Sequence, residues 1–401
     1  MCNVRAMPTT DVRFTPRSGE TWRDPFPMYR ALQDHDPVHR VDEGGYWVLS
    51  RFADVYAAAR DTATFSSAEG LTFTYGERRK AGLEDFAPLV MLDPPAHTAF
   101  RRLVARGFTP RHVGTIEPAV RAFVIERIER LRAAGGGDVV AEMAKPLPSF
   151  VVAHYLGVPA HDRTRFDGWT EAIVAANAVG DPGAAATAVA DLAAYFGELA
   201  EHRRRRPGDD AVSDLVRAGD AAGVSTLDVI GFAFTMVTGG NDTTTGLLGG
   251  ALELLAAAPD QRASLVERPA AIADAVEELL RLTSPVQGLA RTVTHDVTVG
   301  GTTVPAGDKV LLLYGAANRD PRQFGPAADH LDVDRRPARI MTFGSGAHFC
   351  LGAAATRLMG RVALEELLRR CPRYAVDPSA GRYAPGHFVR RYEALPFRTV
   401  G

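Results

Sequence analysis

The stretch Phe343–Gly352, FGSGAHFCLG, places one cysteine, Cys350, directly after a glycine-rich loop and directly before a helix-like run, LGAAATRLMGRVALEELLRR. Backbone N–H groups at a helix start lack partners, and the helix dipole puts partial positive charge there. A cysteine held at that point is biased toward thiolate, the form that ligates metals. Gly344 and Gly346 let the backbone turn sharply and lie close against something flat. For a lone cysteine, an ordinary buried side chain beside a loop is the more common explanation.

Here the whole ten-residue stretch agrees with one pattern. Phe343, Gly344, Gly346, His348, Cys350 and Gly352 resemble the haem-binding loop of the cytochromes P-450, the haem-thiolate monooxygenases of soluble bacterial type. The resemblance implies a mainly α fold with a small β lobe (α+β), haem lying between a long central helix and the cysteine-loop helix. It implies haem b with the Cys350 sulfur as axial iron ligand, and Phe343 and Gly344 against the cofactor. Thiolate donation favours O–O cleavage.

The bulk properties are compatible. The 401 residues are 46% hydrophobic, enough for a large core, and no linker or internal repeat divides them, so one domain over residues 1–401 is expected, with a tail of about twenty residues at its start. A net charge of −2 argues against nucleic acid as a partner. Of the 46 basic residues only Lys80, Lys145 and Lys309 are lysine, and the densest run, Arg203–Arg206, reads as a solvated helix end. Cys2, Cys350 and Cys371 are widely spaced and form no C-x-x-C pair, which points to a reducing compartment. No apolar run reaches the roughly 18 residues of a membrane helix or the core of a signal peptide, so the expectation is a cytoplasmic protein without a membrane anchor.

Before residue 66 the pattern is helix, two short strands around Glu43-Gly44-Gly45, then helix. The polar stretch Ser66–Ala87 follows, and in the family this position is a mobile loop over the substrate pocket. Asp93-Pro94-Pro95 then punctuates a helix start. His97 and Arg101, four apart, share a face of that helix and could hold an anionic group, although a plain surface helix would look the same. The resemblance assigns them to the haem propionates. Residues 111 to 215 read as helical, with turns at Ala134–Gly137, Pro159 and Gly180–Gly183, and include the helix pair that lids the family's pocket.

A long helix is expected from Ser225 to Ala258, with Ser225 and Asp228 as a capping box and Pro259 at its far end. Its centre, Thr238–Gly246, reads TGGNDTTTG. Interior glycines cost about 1 kcal/mol each relative to alanine, and threonines tend to bend a helix. Close approach of a ligand at Gly239 and Gly240, and an opened backbone ladder beside Thr243, would compensate. Asp242-Thr243 matches the family's acid–alcohol pair, which relays the protons that reductive O2 cleavage consumes.

Glu278 and Arg281 resemble the family's E-x-x-R helix, and Arg335 is the expected third partner; these residues should brace the cysteine loop. Arg291, and His348 two residues before Cys350, complete the implied propionate set with His97 and Arg101. One departure is Ile340, where many soluble bacterial members have histidine.

The resemblance implies an O2-dependent monooxygenase acting on an apolar organic substrate, with electrons from a ferredoxin and an NAD(P)H-dependent reductase. Arg101, Arg102, Arg106 and Arg357 are candidates for the ferredoxin-docking face. A peroxygenase or isomerase of the same fold, or a non-catalytic haem sensor, are the alternatives; the acid–alcohol pair argues against them. Phe232, Leu289 and Phe388 suggest an apolar pocket.

Overall fold

The longest element, the 32-residue helix Thr226–Ala257, runs through the centre of the protein. The structure is a computed structural model that describes residues 12–80, 87–179, 182–222 and 224–400. The helix starts as its sequence dictates. The Asp228 N–H donates to Ser225 Oγ (3.2 Å) and the Asp228 carboxylate accepts the Ser225 N–H (2.7 Å), so two otherwise orphan donors are satisfied. Around it pack the helices Pro146–Tyr155, Arg163–Val179, Ala186–Arg205, Ile272–Thr283 and Ala353–Arg370. Val237, Leu247, Leu248, Leu252 and Leu255 place its apolar surface in the main core.

Two glycines of this helix are contact points between helices. A Cβ on Gly240 would lie 2.8 Å from Val152 Cγ2, and one on Gly250 would lie 2.7 Å from Thr283 Cγ2. The close approach expected at Gly240 is therefore to a neighbouring helix, not to a ligand. Gly239 differs: a Cβ there would meet nothing within 4 Å. The expected opening beside Thr243 is also absent, since Thr226–Ala257 is one continuous helix. The Thr243 hydroxyl donates to the Gly239 carbonyl (2.9 Å), which occupies that acceptor within the helix and leaves no need for an inserted water.

The β lobe forms where alternating apolar runs predict it. Its main sheet has the order Val38–Val41, Tyr46–Leu49, Lys309–Leu312, Leu289–Val293, Phe65–Ser66. Tyr46–Leu49 and Lys309–Leu312, a parallel pair, are buried along their whole length. Gly346, in the cysteine loop, has φ +71°, and a Cβ there would lie 3.0 Å from Arg60 Cα and 3.1 Å from Ala59 O. Its flat neighbour is thus the helix Phe52–Arg60 of this lobe. The glycine turn at Ala134–Gly137 continues into a strand, Gly136–Asp138, that pairs with Pro396–Thr399 because Gly136 has no Cβ to strike the Phe397 carbonyl.

One further expectation changes, at Arg203, and the loop after Ser66 has contacts of its own. The loop after Ser66 is fastened at several points: the Ala290 N–H donates to the Leu71 carbonyl (2.7 Å), Lys309 Nζ to the Glu69 carbonyl (2.8 Å) and Tyr75 Oη to the Gly45 carbonyl (2.7 Å). Phe73 stacks on Tyr46 with centroids 4.8 Å apart. Residues 81–86 of that loop lie outside the described residues, as do 180 and 181 of the expected turn at Gly180–Gly183. Arg203, read as solvated, is instead paired with the buried Asp210 (2.8 Å) and donates to the Gly157 carbonyl, so the run is solvated only from Arg204 onward. Among the described residues, no helix is long and apolar enough to cross a membrane.

The expected brace is present, with Glu278 and Arg281 fully buried and Arg335 half-buried. Arg281 forms a two-pronged pair with Glu278 (2.7 Å for both contacts), and Arg335 Nε lies 3.2 Å from the same carboxylate. Arg281 Nη1 also donates to the Asn318 and Ala328 carbonyls. The Asn318 side chain carries the link onward: its oxygen accepts the Met341 N–H (2.6 Å), and its nitrogen donates to Thr342 Oγ1 (2.9 Å) and Ser284 Oγ (2.6 Å). Met341 and Thr342 directly precede the cysteine loop. Removing one partner of such a buried pair strands the other charge, at roughly 3–5 kcal/mol. Glu278→Gln should lower denaturant stability by about that amount and displace the cysteine loop, read as poor haem incorporation on refolding.

Candidate functional site

Cys350 sits in a loop closed by its own backbone. The Cys350 N–H donates to the Phe343 carbonyl (2.9 Å), the Gly344 N–H donates to the Met341 carbonyl (2.8 Å), and Gly344 takes φ +67°. The Phe343 ring is buried and lies under the Arg357 guanidinium, 4.6 Å from the ring centroid. The helix Ala353–Arg370 begins three residues after the cysteine. The Cys350 side chain is accessible although protein crowds it on its other sides. That crowding dominates its titration: burial pushes the thiol pKa up, while the Gly352 N–H, Arg101 and Arg357 pull it down. The helix-start bias toward thiolate is thus outweighed in the protein alone; a coordinated metal ion would remove the proton outright.

The four residues expected to hold carboxylates come from three separate parts of the chain and meet here. His97 and His348 have ring centroids 4.3 Å apart. Burial, then Arg291, His97 and Arg101, push the His348 pKa down to about 3, so His348 is neutral and all four share one field. Burial and Arg101 lower His97 as well, with Asp93 opposing. Burial lowers Arg101, and Cys350 acts against it. Asp93 is the neighbouring acid, but its oxygens accept from Ser66 Oγ (2.5 Å) and the Ser67 N–H (3.0 Å), and it stands 4.0 Å from His348 Nε2. Ser67 Oγ is 3.2 Å from that nitrogen. Among the described residues, neither Arg101 nor Arg291 has a carboxylate at ion-pair distance, and the buried His97 Nδ1 has no hydrogen-bond partner. Buried polar groups are normally satisfied. A cation-rich, partly unsatisfied cluster beside an accessible cysteine fits a flat iron porphyrin carrying two carboxylates.

On the central helix, Gly239 is exposed between the half-buried Thr238 and Gly240. Thr243 turns its hydroxyl to the Gly239 carbonyl, as described above. Asp242 does not stand alone: its Oδ1 lies 2.7 Å from Arg391 Nε, with only 17% of the acid side chain exposed. Burial raises the Asp242 pKa to about 6, against the pull of Arg391 and Lys145. Asp242 therefore exchanges its proton near neutral pH.

The other sequence readings divide. Phe232 is only 2% exposed and packs with Phe100 and Phe108, which makes it core and not pocket wall; Leu289 and Phe388 are half-buried. Arg357 is committed to Glu277 (2.5 and 2.9 Å) and Arg101 faces the histidine cluster, which leaves Arg102 and Arg106 as exposed cations of the proposed docking set. Ile340 is half-buried against the core and adds no polar contact. Sequence reasoning missed Asp93, Asn318 and Arg391. Asp93 was hidden by its role before two prolines, and Arg391 sits in an arginine doublet in an arginine-rich chain. Neither carries a local signal of its partner.

Comparison with known proteins agrees with this geometry. The family model "Cytochrome P-450" matches residues 271–378, the brace helix through the cysteine helix. The chain is 61% identical over 392 residues to cytochrome P-450 130 of Mycobacterium tuberculosis, covering 96% of this chain and 97% of that protein. It is 36% identical to the vitamin D(3) 25-hydroxylase of Pseudonocardia autotrophica, with 94% of each chain covered. Among solved structures, Mycobacterium marinum cytochrome P-450 CYP268A2 in complex with pseudoionone superposes with a TM-score of 0.86 at 32% identity, covering 98% of this chain and 100% of that one. A cysteine loop braced from behind, a cation cluster in want of carboxylates and relatives that match nearly end to end lead to one statement: the chain belongs to the cytochrome P-450 family of haem-thiolate monooxygenases.

Proposed function

We propose that the chain, acting as a single domain in the cytoplasm, binds haem b through the Cys350 sulfur and inserts one atom of O2 into an apolar organic substrate. The overall balance is substrate C–H plus O2, two protons and two electrons giving C–OH and water. Electrons arrive singly from a ferredoxin reduced by an NAD(P)H-dependent reductase. The observation that carries the reading is the convergence of His97, Arg101, Arg291 and His348, short of carboxylate partners, beside Cys350. These four would hold the two propionates, with Phe343 and Gly344 shaping the cysteine side. When bound, haem supplies O2 activation, and its thiolate ligand favours O–O cleavage.

The chain's own residues supply orientation and protons. Asp242, titrating near 6, is a suitable acid for a neutral operating pH. Thr243 donates to Gly239, which leaves its oxygen free to accept a proton-bearing partner from the cleft side. Gly239, with open space at its Cβ position, lets a flat group or substrate lie against the helix backbone. Arg102 and Arg106 offer positive charge to an acidic ferredoxin. An apolar substrate is supported by the half-buried Leu289 and Phe388, and by what the relatives' names say they handle, vitamin D(3) and pseudoionone.

The test is direct. The reduced protein with carbon monoxide should show the red-shifted Soret band of thiolate ligation, and product formed under isotopically labelled O2 should carry one labelled atom. A folded, haem-loaded protein without that band would sink the ligand assignment. Cys350→Ser should abolish the band while leaving the fold intact by circular dichroism. His97→Ala should weaken haem retention about tenfold, as expected for one charge-assisted contact of roughly 1.5 kcal/mol among four, measured by transfer to apomyoglobin. Asp242→Asn should lower kcat by about a hundredfold, the usual scale for a positioned acid, with the substrate-binding spectrum unchanged and reducing equivalents diverted to hydrogen peroxide.

A further inference from the structure

One face of the central helix, Asp242, Gly246 and Gly249, is not turned toward another helix but carries the C-terminal segment Arg390–Tyr392. A Cβ on Gly246 would lie 2.9 Å from the Arg390 carbonyl oxygen, 3.0 Å from Pro285 Cβ and 3.4 Å from Arg391 Cβ; one on Gly249 would touch the Tyr392 ring at 3.4 Å. The segment is fixed there by the Arg390 N–H, which donates to the Pro285 carbonyl (2.8 Å), and by Arg390 Nε, which donates to the Trp22 carbonyl (2.7 Å). Beyond the contact, Tyr392 stacks on Tyr383 with centroids 4.3 Å apart. The glycines thus let a backbone settle against the helix, and settling places the Arg391 guanidinium on the Asp242 carboxylate at 2.7 Å. Both side chains are largely buried, 10% and 17% exposed, so the pair is screened little by solvent.

We infer that Arg391 is a positioning residue for turnover: it holds the Asp242 carboxylate on the C-terminal segment and sets the pH at which that acid carries its proton. This rests on the reading of Asp242 as the proton-delivering acid. Two charged groups face Asp242, Arg391 from the C-terminal segment and Lys145 from the start of the helix Pro146–Tyr155, and both favour the ionised form; burial opposes them and is the larger influence. Removing Arg391 therefore raises the titration point of Asp242, since an opposite charge at this distance typically lowers a carboxyl pKa by about one unit or more. The acid then keeps its proton to higher pH and is no longer tethered. The segment just upstream, Gly386–Phe388, contains the half-buried Phe388, so the same strip of chain that reaches Asp242 continues from a wall of the expected pocket.

The experiment uses the haem-loaded enzyme with Arg391→Gln and Arg391→Lys, each compared with Asp242→Asn. Infrared difference spectra, with Asp242→Asn as the blank, read the Asp242 carboxyl titration without turnover; kcat, KM and hydrogen peroxide release are followed from pH 5 to 9. The expected result for Arg391→Gln is an upward shift of the carboxyl titration by about one pH unit or more, a matching shift in the pH profile of kcat, and an unchanged KM. Arg391→Lys should restore both toward wild type. A carboxyl titration that stays in place in Arg391→Gln, with the red-shifted carbon monoxide band intact, overturns the inference and leaves the role of Asp242 untouched. A titration that moves while the kcat profile and peroxide release do not, together with an Asp242→Asn enzyme as active as wild type, overturns the acid role itself and the positioning role with it.

Discussion

Glu278 has no access to water, and two arginines lie on its carboxylate. Charges in that position are tolerated only when every partner is in place. The position of Cys350 follows from this constraint. Arg281, fixed by Glu278, donates to the Asn318 carbonyl; the Asn318 amide then holds Met341 and Thr342, and the cysteine loop begins at the next residue. From the other side the loop is limited by Gly346, which lies against the Ala59–Arg60 backbone. A loop held at both ends keeps one sulfur facing a cleft lined by cations. The brace contributes geometry more than affinity, because none of its charged groups reaches the cation cluster.

The central helix shows how one element can serve packing and chemistry together. Its faces are divided among neighbours by the residues that lack a Cβ. Gly240 admits Val152, Gly250 admits Thr283, and Gly246 with Gly249 admits the C-terminal segment. Gly239 alone among these positions faces open space. The helix is therefore rich in glycine for several reasons, and only one concerns a ligand. Its threonines donate back along the helix at Thr235, Thr238, Thr243 and Thr245, so a poor helix centre by composition is held as a continuous helix by tertiary contacts and side-chain hydrogen bonds.

The titration of the site residues follows from burial before it follows from charge. For Cys350, His97, His348 and Asp242 alike, removal from water is the leading cause, and each is driven toward its neutral form. Ionic partners modify that trend to different degrees. Arg391 and Lys145 bring Asp242 back to about 6, whereas the arginines beside His348 act with burial and leave it neutral. The cation cluster is consequently carried by Arg101 and Arg291, with the two histidines as neutral hydrogen-bonding groups.

The cysteine with its glycine-bearing loop, the capped central helix with its Asp-Thr pair and the Glu-x-x-Arg brace were legible in the sequence, whereas the grouping of His97, Arg101, Arg291 and His348 came from the family resemblance alone. Each of the former is a short, local pattern whose residue types are imposed by backbone geometry or by the chemistry of one group. What only the tertiary structure decided are pairings between residues far apart in the chain. Arg391 against Asp242, Asn318 against Met341, Lys309 against the Glu69 carbonyl and Gly240 against Val152 leave no mark on spacing or periodicity. The same holds for the commitments that withdraw a residue from an expected task, as Glu277 does to Arg357 and Asp210 to Arg203. Composition names which groups a chain has to offer, but burial and distance determine which of them remain free to act, and both arise only when the chain is folded.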